Sequence, residues 1–165
     1  MKTLRIIYVM FFAFLAINLS AQQKVNIYNP KANAKADIQA AVKKAKAENK
    51  HVLIQVGGNW CPWCVRLHKL FQEDNQINSA LKANYVFVLV NYSEENKNLP
   101  LLKELEFPQR FGFPVLLVLN KDGRRIHTQA TGLLEEGKGY NNEKVVAFLK
   151  QWSVKALDPA SYTEK

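Results

Sequence analysis

Residues 51–64 read HVLIQVGGNWCPWC and contain both cysteines of the chain. The run His51–Val56 is short and mostly apolar, as is typical of a strand buried on both faces. Residues 57–59, Gly-Gly-Asn, end that strand. Because proline is well tolerated in the first turn of a helix, Pro62 indicates a helix that continues to about Phe71. The sequence therefore predicts that both cysteines lie where a strand gives way to a helix.

The C-x-x-C spacing of the two cysteines suits thiol–disulfide chemistry. A helix N-terminus has unpaired N–H groups and the positive end of the helix dipole, and both stabilise an anion. This position is expected to lower the pKa of the Cys61 thiol and to make Cys61 a nucleophile near neutral pH. Cys64 lies one helical turn further on the same face, where it can form a small disulfide ring or resolve a mixed disulfide. The motif predicts Cys61 as the catalytic nucleophile and Cys64 as the resolving cysteine.

The residues alone leave other interpretations of this pair open. A purely structural disulfide is one, although so small a loop removes little entropy from the unfolded chain. Zinc binding by Cys61, Cys64 and His68 is another, but no fourth ligand is evident and we expect no metal. Two inert thiols are a third, disfavoured by a position that is expected to expose Cys61. Covalent haem attachment is excluded because Val65, not histidine, follows the second cysteine. His68 is expected to face solvent.

The composition describes one domain with an ordinary core. The chain has 165 residues, 48% of them hydrophobic, which suffices for a core without disulfides or a structural metal. Two cysteines exclude a disulfide-rich scaffold and any four-cysteine zinc or iron–sulfur site within one chain. The formal net charge is +9, but the lysines are spread out without interleaved aromatic residues. This pattern favours a solvated surface over binding to nucleic acid or to a membrane surface.

Residues 1–21 are typical of a secretory signal peptide. A short basic start precedes the uncharged apolar run 6–17, and small residues follow up to Ala21. The apolar run is shorter than the ~20 residues that span a bilayer, so we expect cleavage between Ala21 and Gln22 rather than stable membrane insertion. Residues 22–165 would then form a single domain outside the cytoplasm, where disulfides form and persist.

Helical and strand signals alternate along that domain. We expect helices over residues 36–49, 62–71, 75–84 and 99–105 and after Asn141 or Asn142, strands over 51–56, 85–91, 115–120 and 124–130, and a short edge strand within 22–33. Asp122-Gly123, between the last two strands, is a strong hairpin signal. Strands that are separated by helices predict parallel pairing, and the hairpin adds an antiparallel edge. The fold class is α/β.

The sequence resembles the thioredoxin-like family over roughly residues 36–156. The resemblance rests on the strand HVLIQV, the motif WCPWC, the segment FGFPV at 111–115 and Gly132. It implies a thioredoxin fold, with a central mixed sheet of four or five strands flanked by helices. It also implies a cis-proline at Pro114 that faces the two cysteines. The backbone of Phe113 would then pair with an extended substrate segment.

The WCxWC motif and the signal peptide are most similar to those of extracytoplasmic thioredoxin-like proteins of bacteria, which implies a periplasmic location. On this resemblance Trp60, Pro62 and Trp63 join Phe113 and Pro114 as substrate-binding residues. The two tryptophans would form an apolar rim around the sulfur. Partial packing into the core is an equally open interpretation for Trp60.

Several positions depart from the family pattern. Thioredoxins usually place a buried aspartate six residues before the first cysteine, where it helps to move the proton of the second cysteine. This chain has Gln55 there, and its amide cannot accept a proton at neutral pH. The lysine that commonly partners the aspartate has no counterpart in residues 87–90. Strongly oxidising members carry histidine between the cysteines, whereas Trp63 brings no charge. These departures predict a mid-range reduction potential.

The sequence therefore predicts an extracytoplasmic thiol–disulfide oxidoreductase that reduces, forms or isomerises disulfides in other proteins. It would need no dissociable cofactor. Its partners would be proteins with thiols or disulfides and an upstream redox protein, for which a membrane electron carrier is one candidate. The alternative is a redox-inactive binding module that uses the surface formed by Trp60, Trp63 and Pro114.

Overall fold

The computed structural model describes residues 26–163, so the predicted signal peptide lies outside the described residues. The helices are α1 (Ala34–Glu48), α2 (Pro62–Glu73), α3 (Asn75–Asn84), α4 (Leu99–Glu104) and α5 (Asn142–Gln151). The strands are β1 (His51–Gly57), β2 (Tyr85–Asn91), β3 (Val115–Leu119), β4 (Arg125–Ala130), β5 (Glu135–Glu136) and β6 (Gly139–Tyr140). Short 3₁₀ turns cover Pro108–Phe111, Thr131–Leu134, Lys155–Leu157 and Pro159–Tyr162.

The edge strand expected within residues 22–33 is absent from the described part of that segment, and this prediction is wrong. Residues 26–33 form bends and turns. The backbone N–H groups of Ile27 and Tyr28 donate to the side-chain oxygen of Asn59 rather than to a neighbouring strand. A side chain thus satisfies the backbone groups that a sheet would otherwise have paired.

The main sheet is mixed and has the strand order β2-β1-β3-β4. β1 and β2 are parallel, with His51 opposite Tyr85, as their helical separation predicts. β3 is antiparallel to β1, with Val56 opposite Val115, so the expected parallel pairing of this strand is wrong. The six-residue α4 is too short to carry the chain back along the sheet, since it rises only about 9 Å. β3 therefore starts at the edge where β1 and β2 end.

Helices cover both faces of this sheet. α1 and α4 pack on one face, where Ile38, Ala41 and Leu102 contact Val52 and Ile54 of β1. α2, α3 and α5 pack on the other face, in a cluster that holds Leu53, Leu67, Phe71, Ile77, Leu81, Val145, Phe148 and Leu149. Because side chains alternate along a strand, Gln55 shares the face of Leu53 and points toward α2. The mixed four-stranded sheet between helices is the predicted fold class.

Within residues 26–163, no helix combines the length and the apolar character that crossing a membrane requires.

Candidate active site

The two cysteines form a disulfide between the end of β1 and the start of α2. Their Cα atoms are 5.2 Å apart. Cys61 is the N-cap residue of α2, and its Sγ accepts a hydrogen bond from the backbone N–H of Cys64 at 3.1 Å. Pro62 occupies the first turn of α2 and faces solvent. Proline suits this position because the first N–H groups of a helix have no partner within the helix. The strand-to-helix position predicted for the pair is confirmed.

Cys61 is less accessible than its position predicts. The residue is only 3% exposed and Cys64 is fully buried, so the expected exposure of Cys61 is wrong. Both cysteines and Tyr28 form a small cluster, against which Ile27, Trp63, Leu89 and Phe113 pack. The N-terminal segment that carries Tyr28 thus contributes to the burial of both cysteines.

Trp60 lies on the surface next to Cys61 in the chain. It is 55% exposed, so the structure places it on the rim rather than in the core. Its indole N–H donates to the carbonyl oxygen of Tyr92 at 2.6 Å. Its ring meets Phe113 edge-on, with centroids 5.6 Å apart, and Phe113 packs in turn on Tyr92. An open groove of about 890 Å³ runs beside Trp60, between residues 26–30 and residues 91–95.

Trp63 is half-buried and is held from two sides. Its ring meets Tyr140 of β6 edge-on at 5.4 Å, and the Tyr140 hydroxyl donates to the Trp63 carbonyl oxygen at 3.3 Å. The guanidinium of Arg66 lies 4.6 Å from the ring centroid, in a cation–π contact. The small β5–β6 hairpin thus fixes one side of the motif.

The segment before β3 reaches the same end of the sheet, where β3 begins beside the end of β1. The peptide bond between Phe113 and Pro114 is cis, and Gly112 before it has a φ of 83°. The hydroxyl of Thr131 donates to the Pro114 carbonyl oxygen at 2.5 Å. Phe113 packs against the cluster that contains both cysteines. The fold therefore brings the predicted residues Trp60, Trp63, Phe113 and Pro114 to one end of the sheet.

Gln55 occupies the interior position that the sequence singled out. It is fully buried, and its Nε2 donates to the Tyr28 hydroxyl at 2.6 Å and to the Cys64 carbonyl oxygen at 3.0 Å. Its Oε1 has no hydrogen-bond partner in the described chain. Burial raises the pKa of Tyr28 well above its ordinary value, so this hydroxyl stays protonated. A neutral amide–phenol pair thus stands behind the disulfide.

Two residues of the site, Asn59 and Tyr28, were not predicted from the sequence. Asn59 accepts from the N–H groups of Ile27 and Tyr28, each at 2.9 Å, and donates to the Tyr28 carbonyl oxygen at 2.8 Å. Tyr28 itself comes from a segment that carries no motif. The only signal was the position of Asn59 directly before the WCPWC motif.

His68 is half-buried rather than fully facing solvent as predicted. It stacks on Phe87 of β2, with centroids 6.1 Å apart, and its Nδ1 is buried without a hydrogen-bond partner in the described chain. Desolvation lowers the pKa of His68, because burial disfavours the charged ring. Among residues 26–163, no three His, Cys, Asp or Glu side chains are placed to hold a metal ion together.

Comparison with known proteins places this geometry in a family. A profile of the thioredoxin-like domain matches residues 38–149. No curated protein matches the chain. The crystal structure of a disulphide isomerase from Xylella fastidiosa Temecula1 is similar, with a TM-score of 0.69 and 23% identity over 77% of this chain and 96% of that one.

Two further solved structures share the fold. The C-terminal domain of Neisseria meningitidis DsbD in the reduced form gives a TM-score of 0.53 and 22% identity, covering 71% of this chain and 95% of that one. A thioredoxin from Thermus thermophilus gives a TM-score of 0.52 and 17% identity, covering 77% of this chain and 94% of that one. With the profile match over most of its length, the chain belongs to the thioredoxin-like family.

Proposed function

We propose that this chain is a thiol–disulfide oxidoreductase that acts on other proteins outside the cytoplasm. The observation that carries the proposal is the Cys61–Cys64 disulfide at the N-terminus of α2, where the Cys61 sulfur accepts an N–H bond. When the disulfide is reduced, this donor and the helix dipole favour the thiolate of Cys61. The similar solved structures support the proposal, since they include a disulphide isomerase and a DsbD domain solved in reduced and oxidised forms.

The proposed reaction exchanges one disulfide for another in two steps. In the reducing direction, the Cys61 thiolate attacks a substrate disulfide, a mixed disulfide forms, and one substrate sulfur leaves as a thiolate. The Cys64 thiolate then attacks the Cys61 sulfur, the ring closes, and the second substrate sulfur leaves. Two electrons pass to the substrate, whose thiolates take protons from water. The oxidising direction reverses these steps.

Substrate docking is proposed at the end of the sheet where the rim residues meet. Trp60 is exposed there, and Pro62 and Trp63 flank the disulfide. An extended substrate segment would lie along Phe113 and Pro114 as an added strand, which would bring its sulfur toward Cys61. The aromatic rings beside the disulfide would favour unfolded or extended chains, which expose apolar side chains.

The location is proposed from residues 1–21, whose pattern is that of a cleaved signal peptide. A disulfide exchanger in the periplasm would receive or pass on electrons through another protein, because the sequence has no third cysteine for an internal relay. A membrane electron carrier is the candidate upstream partner. N-terminal sequencing of the exported chain tests the location: it should begin at Gln22, and a chain that keeps Met1 would contradict it.

Activity assays on the two cysteine variants test the function. Cys61→Ser should abolish insulin reduction and the refolding of a reduced, unfolded protein, because the attacking cysteine is lost and the remaining thiol, Cys64, is fully buried. Cys64→Ser is the matched variant: it should lose turnover yet hold substrates in mixed disulfides that dithiothreitol releases. A Cys61→Ser protein as active as the wild type would contradict the proposal.

The second candidate function is a redox-inactive binding module. The burial of Cys61 and the lack of a buried acid at Gln55 favour it. It predicts that Cys64→Ser captures partners through contacts that dithiothreitol does not release, and that the wild type neither reduces insulin nor refolds proteins. The same pull-down therefore separates the two functions.

A further inference from the structure

A buried tyrosine from the N-terminal segment packs against the disulfide. Tyr28 is 2% exposed and belongs to the same cluster as Cys61 and Cys64. The Asn59 side chain holds the Tyr28 backbone in place, because it accepts from the N–H of Tyr28 and donates to the carbonyl oxygen of Tyr28. The hydroxyl is thus fixed at the interior side of the sulfur atoms.

The hydrogen bonds around Gln55 determine which way the Tyr28 hydroxyl points. The Cys64 carbonyl oxygen can only accept, so the Gln55 atom that faces it at 3.0 Å must be the amide nitrogen. That nitrogen also lies 2.6 Å from the Tyr28 hydroxyl, to which it donates its second hydrogen. The hydroxyl oxygen therefore accepts from Gln55, and its own hydrogen is left for a different acceptor.

The Cys64 sulfur lies close to this hydroxyl, and no hydrogen bond joins the two atoms in the disulfide form. A Cβ atom added to Gly57 would lie 2.5 Å from the Cys64 Sγ and 2.7 Å from the Tyr28 hydroxyl oxygen. The two atoms thus flank the same small gap, which only the absence of a side chain at Gly57 leaves open. Gln55 Oε1 has no hydrogen-bond partner in the described chain, so it does not take the tyrosine hydrogen.

We propose that the Tyr28 hydroxyl donates a hydrogen bond to the Cys64 sulfur when the disulfide opens and thereby stabilises the resolving thiolate. When a thiolate attacks Cys61, the Cys61–Cys64 bond breaks and its electron pair moves to Cys64, where the hydroxyl meets the new negative charge. In the reverse step Cys64 attacks as a thiolate and the hydroxyl keeps its hydrogen. Tyr28 is a donor in both directions.

This role differs from that of a buried acid. An aspartate takes up the proton of the resolving thiol, whereas burial raises the pKa of Tyr28 and keeps it protonated. Tyr28 therefore cannot act as a base, and the thiol proton leaves to water. The role of this hydrogen bond in catalysis rests on the proposed function, whereas its formation does not depend on that function.

A titration of Cys64 tests the proposal. In Cys61→Ala, Cys64 is the only thiol, and the NMR chemical shift of its Cβ carbon against pH gives its pKa. Adding Tyr28→Phe should raise the Cys64 pKa, with a roughly tenfold gain in proton affinity, because a hydrogen bond to a charged group is lost. Tyr85→Phe is the matched control, since its hydroxyl is also buried but donates to the Leu149 carbonyl oxygen. It should leave the Cys64 pKa unchanged.

A second measurement uses the intact cysteine pair. Equilibration with glutathione should show Tyr28→Phe shifted roughly tenfold toward the disulfide at a pH where Cys64 is ionised, since the reduced form loses its stabilised thiolate. If Tyr28→Phe does not fold, Asn59→Ala replaces it, because it releases the backbone of Tyr28 and should raise the Cys64 pKa in the same way. The proposal is overturned if Tyr28→Phe leaves the Cys64 pKa unchanged, or if Tyr85→Phe raises it equally.

These outcomes separate the hydrogen bond from the function. A shifted Cys64 pKa in a protein that neither reduces insulin nor refolds a reduced, unfolded protein would overturn the proposed function and leave the hydrogen bond standing. An active enzyme in which Tyr28→Phe changes neither the pKa nor the glutathione equilibrium would overturn the hydrogen bond alone.

Discussion

Asn59 connects the redox motif to the N-terminal segment. Its side chain makes three hydrogen bonds to the backbone of Ile27 and Tyr28, two as acceptor and one as donor. Amide side chains suit this task because they carry both a donor and an acceptor. The consequence is that a segment without regular structure still places the Tyr28 ring against the cysteines.

At this scale we predict that Asn59→Ala destabilises the fold more than an ordinary amide loss. Three hydrogen bonds at about 1 kcal/mol each, partly replaced by water, give a loss of about 1–3 kcal/mol in the free energy of unfolding. Chemical denaturation of the oxidised protein measures it. Asn78→Ala is the control, because Asn78 makes one such bond, to the Phe71 carbonyl oxygen. Equal losses in the two variants would show that the Asn59 contacts do not anchor the segment.

Some individual residues of the site were predictable from the sequence, and others were not. Cys61 and Cys64 were identified because their spacing at the start of one helix is local information, and Gln55 was identified because the resemblance to the thioredoxin-like family singles out its position. Tyr28 was not, since its partner Asn59 lies far along the chain and an amide that substitutes for a strand leaves no periodic pattern. The exposure of His68 was predicted wrongly because the neighbour that covers it, Phe87, comes from β2.

Among the elements, the end of β1 leaves no room for a side chain. Gly57 is the last residue of β1, and any side chain there would meet both the Cys64 sulfur and the Tyr28 hydroxyl. Neither group can move far, because the disulfide fixes one and Gln55 and Asn59 fix the other. β1 must therefore end in glycine for α2 to begin where it does.

We accordingly expect Gly57→Ala to lower the free energy of unfolding by about 1–3 kcal/mol, the usual cost of overpacking a filled interior. Thermal or denaturant unfolding of the oxidised proteins gives the value. Gly132→Ala serves as the control, because nothing lies within 4 Å of a Cβ at that position. If both variants unfold alike, the close approach at Gly57 does not constrain the site.

The elements themselves were largely predictable, but the direction of one was not. Continuous apolar runs and the Asp122-Gly123 turn located the four main strands and the hairpin between β3 and β4. The antiparallel course of β3 depends on the short α4 and the Pro108–Phe111 turn, which return the chain to the same edge of the sheet. Hydrophobic periodicity indicates which side chains of a strand are buried, and the same side chains are buried whether the strand runs parallel or antiparallel to its neighbour.

At the scale of the whole molecule, one end of the sheet gathers every part of the candidate site. The end of β1, the start of α2, the cis-proline segment before β3 and the N-terminal segment all meet there. The rest of the chain forms two packed layers that support these segments. The two cysteines of the chain lie together in this arrangement, which under the proposed function provides one two-electron centre.

The reduction potential of the Cys61–Cys64 pair tests most directly whether this pair is a reversible redox centre. Equilibration of the purified protein with glutathione buffers, followed through the fluorescence of the adjacent tryptophans, gives the value. We expect a mid-range potential, between the roughly −270 mV of thioredoxin and the roughly −120 mV of a strong oxidant. A potential below about −300 mV, typical of structural disulfides, would contradict the account.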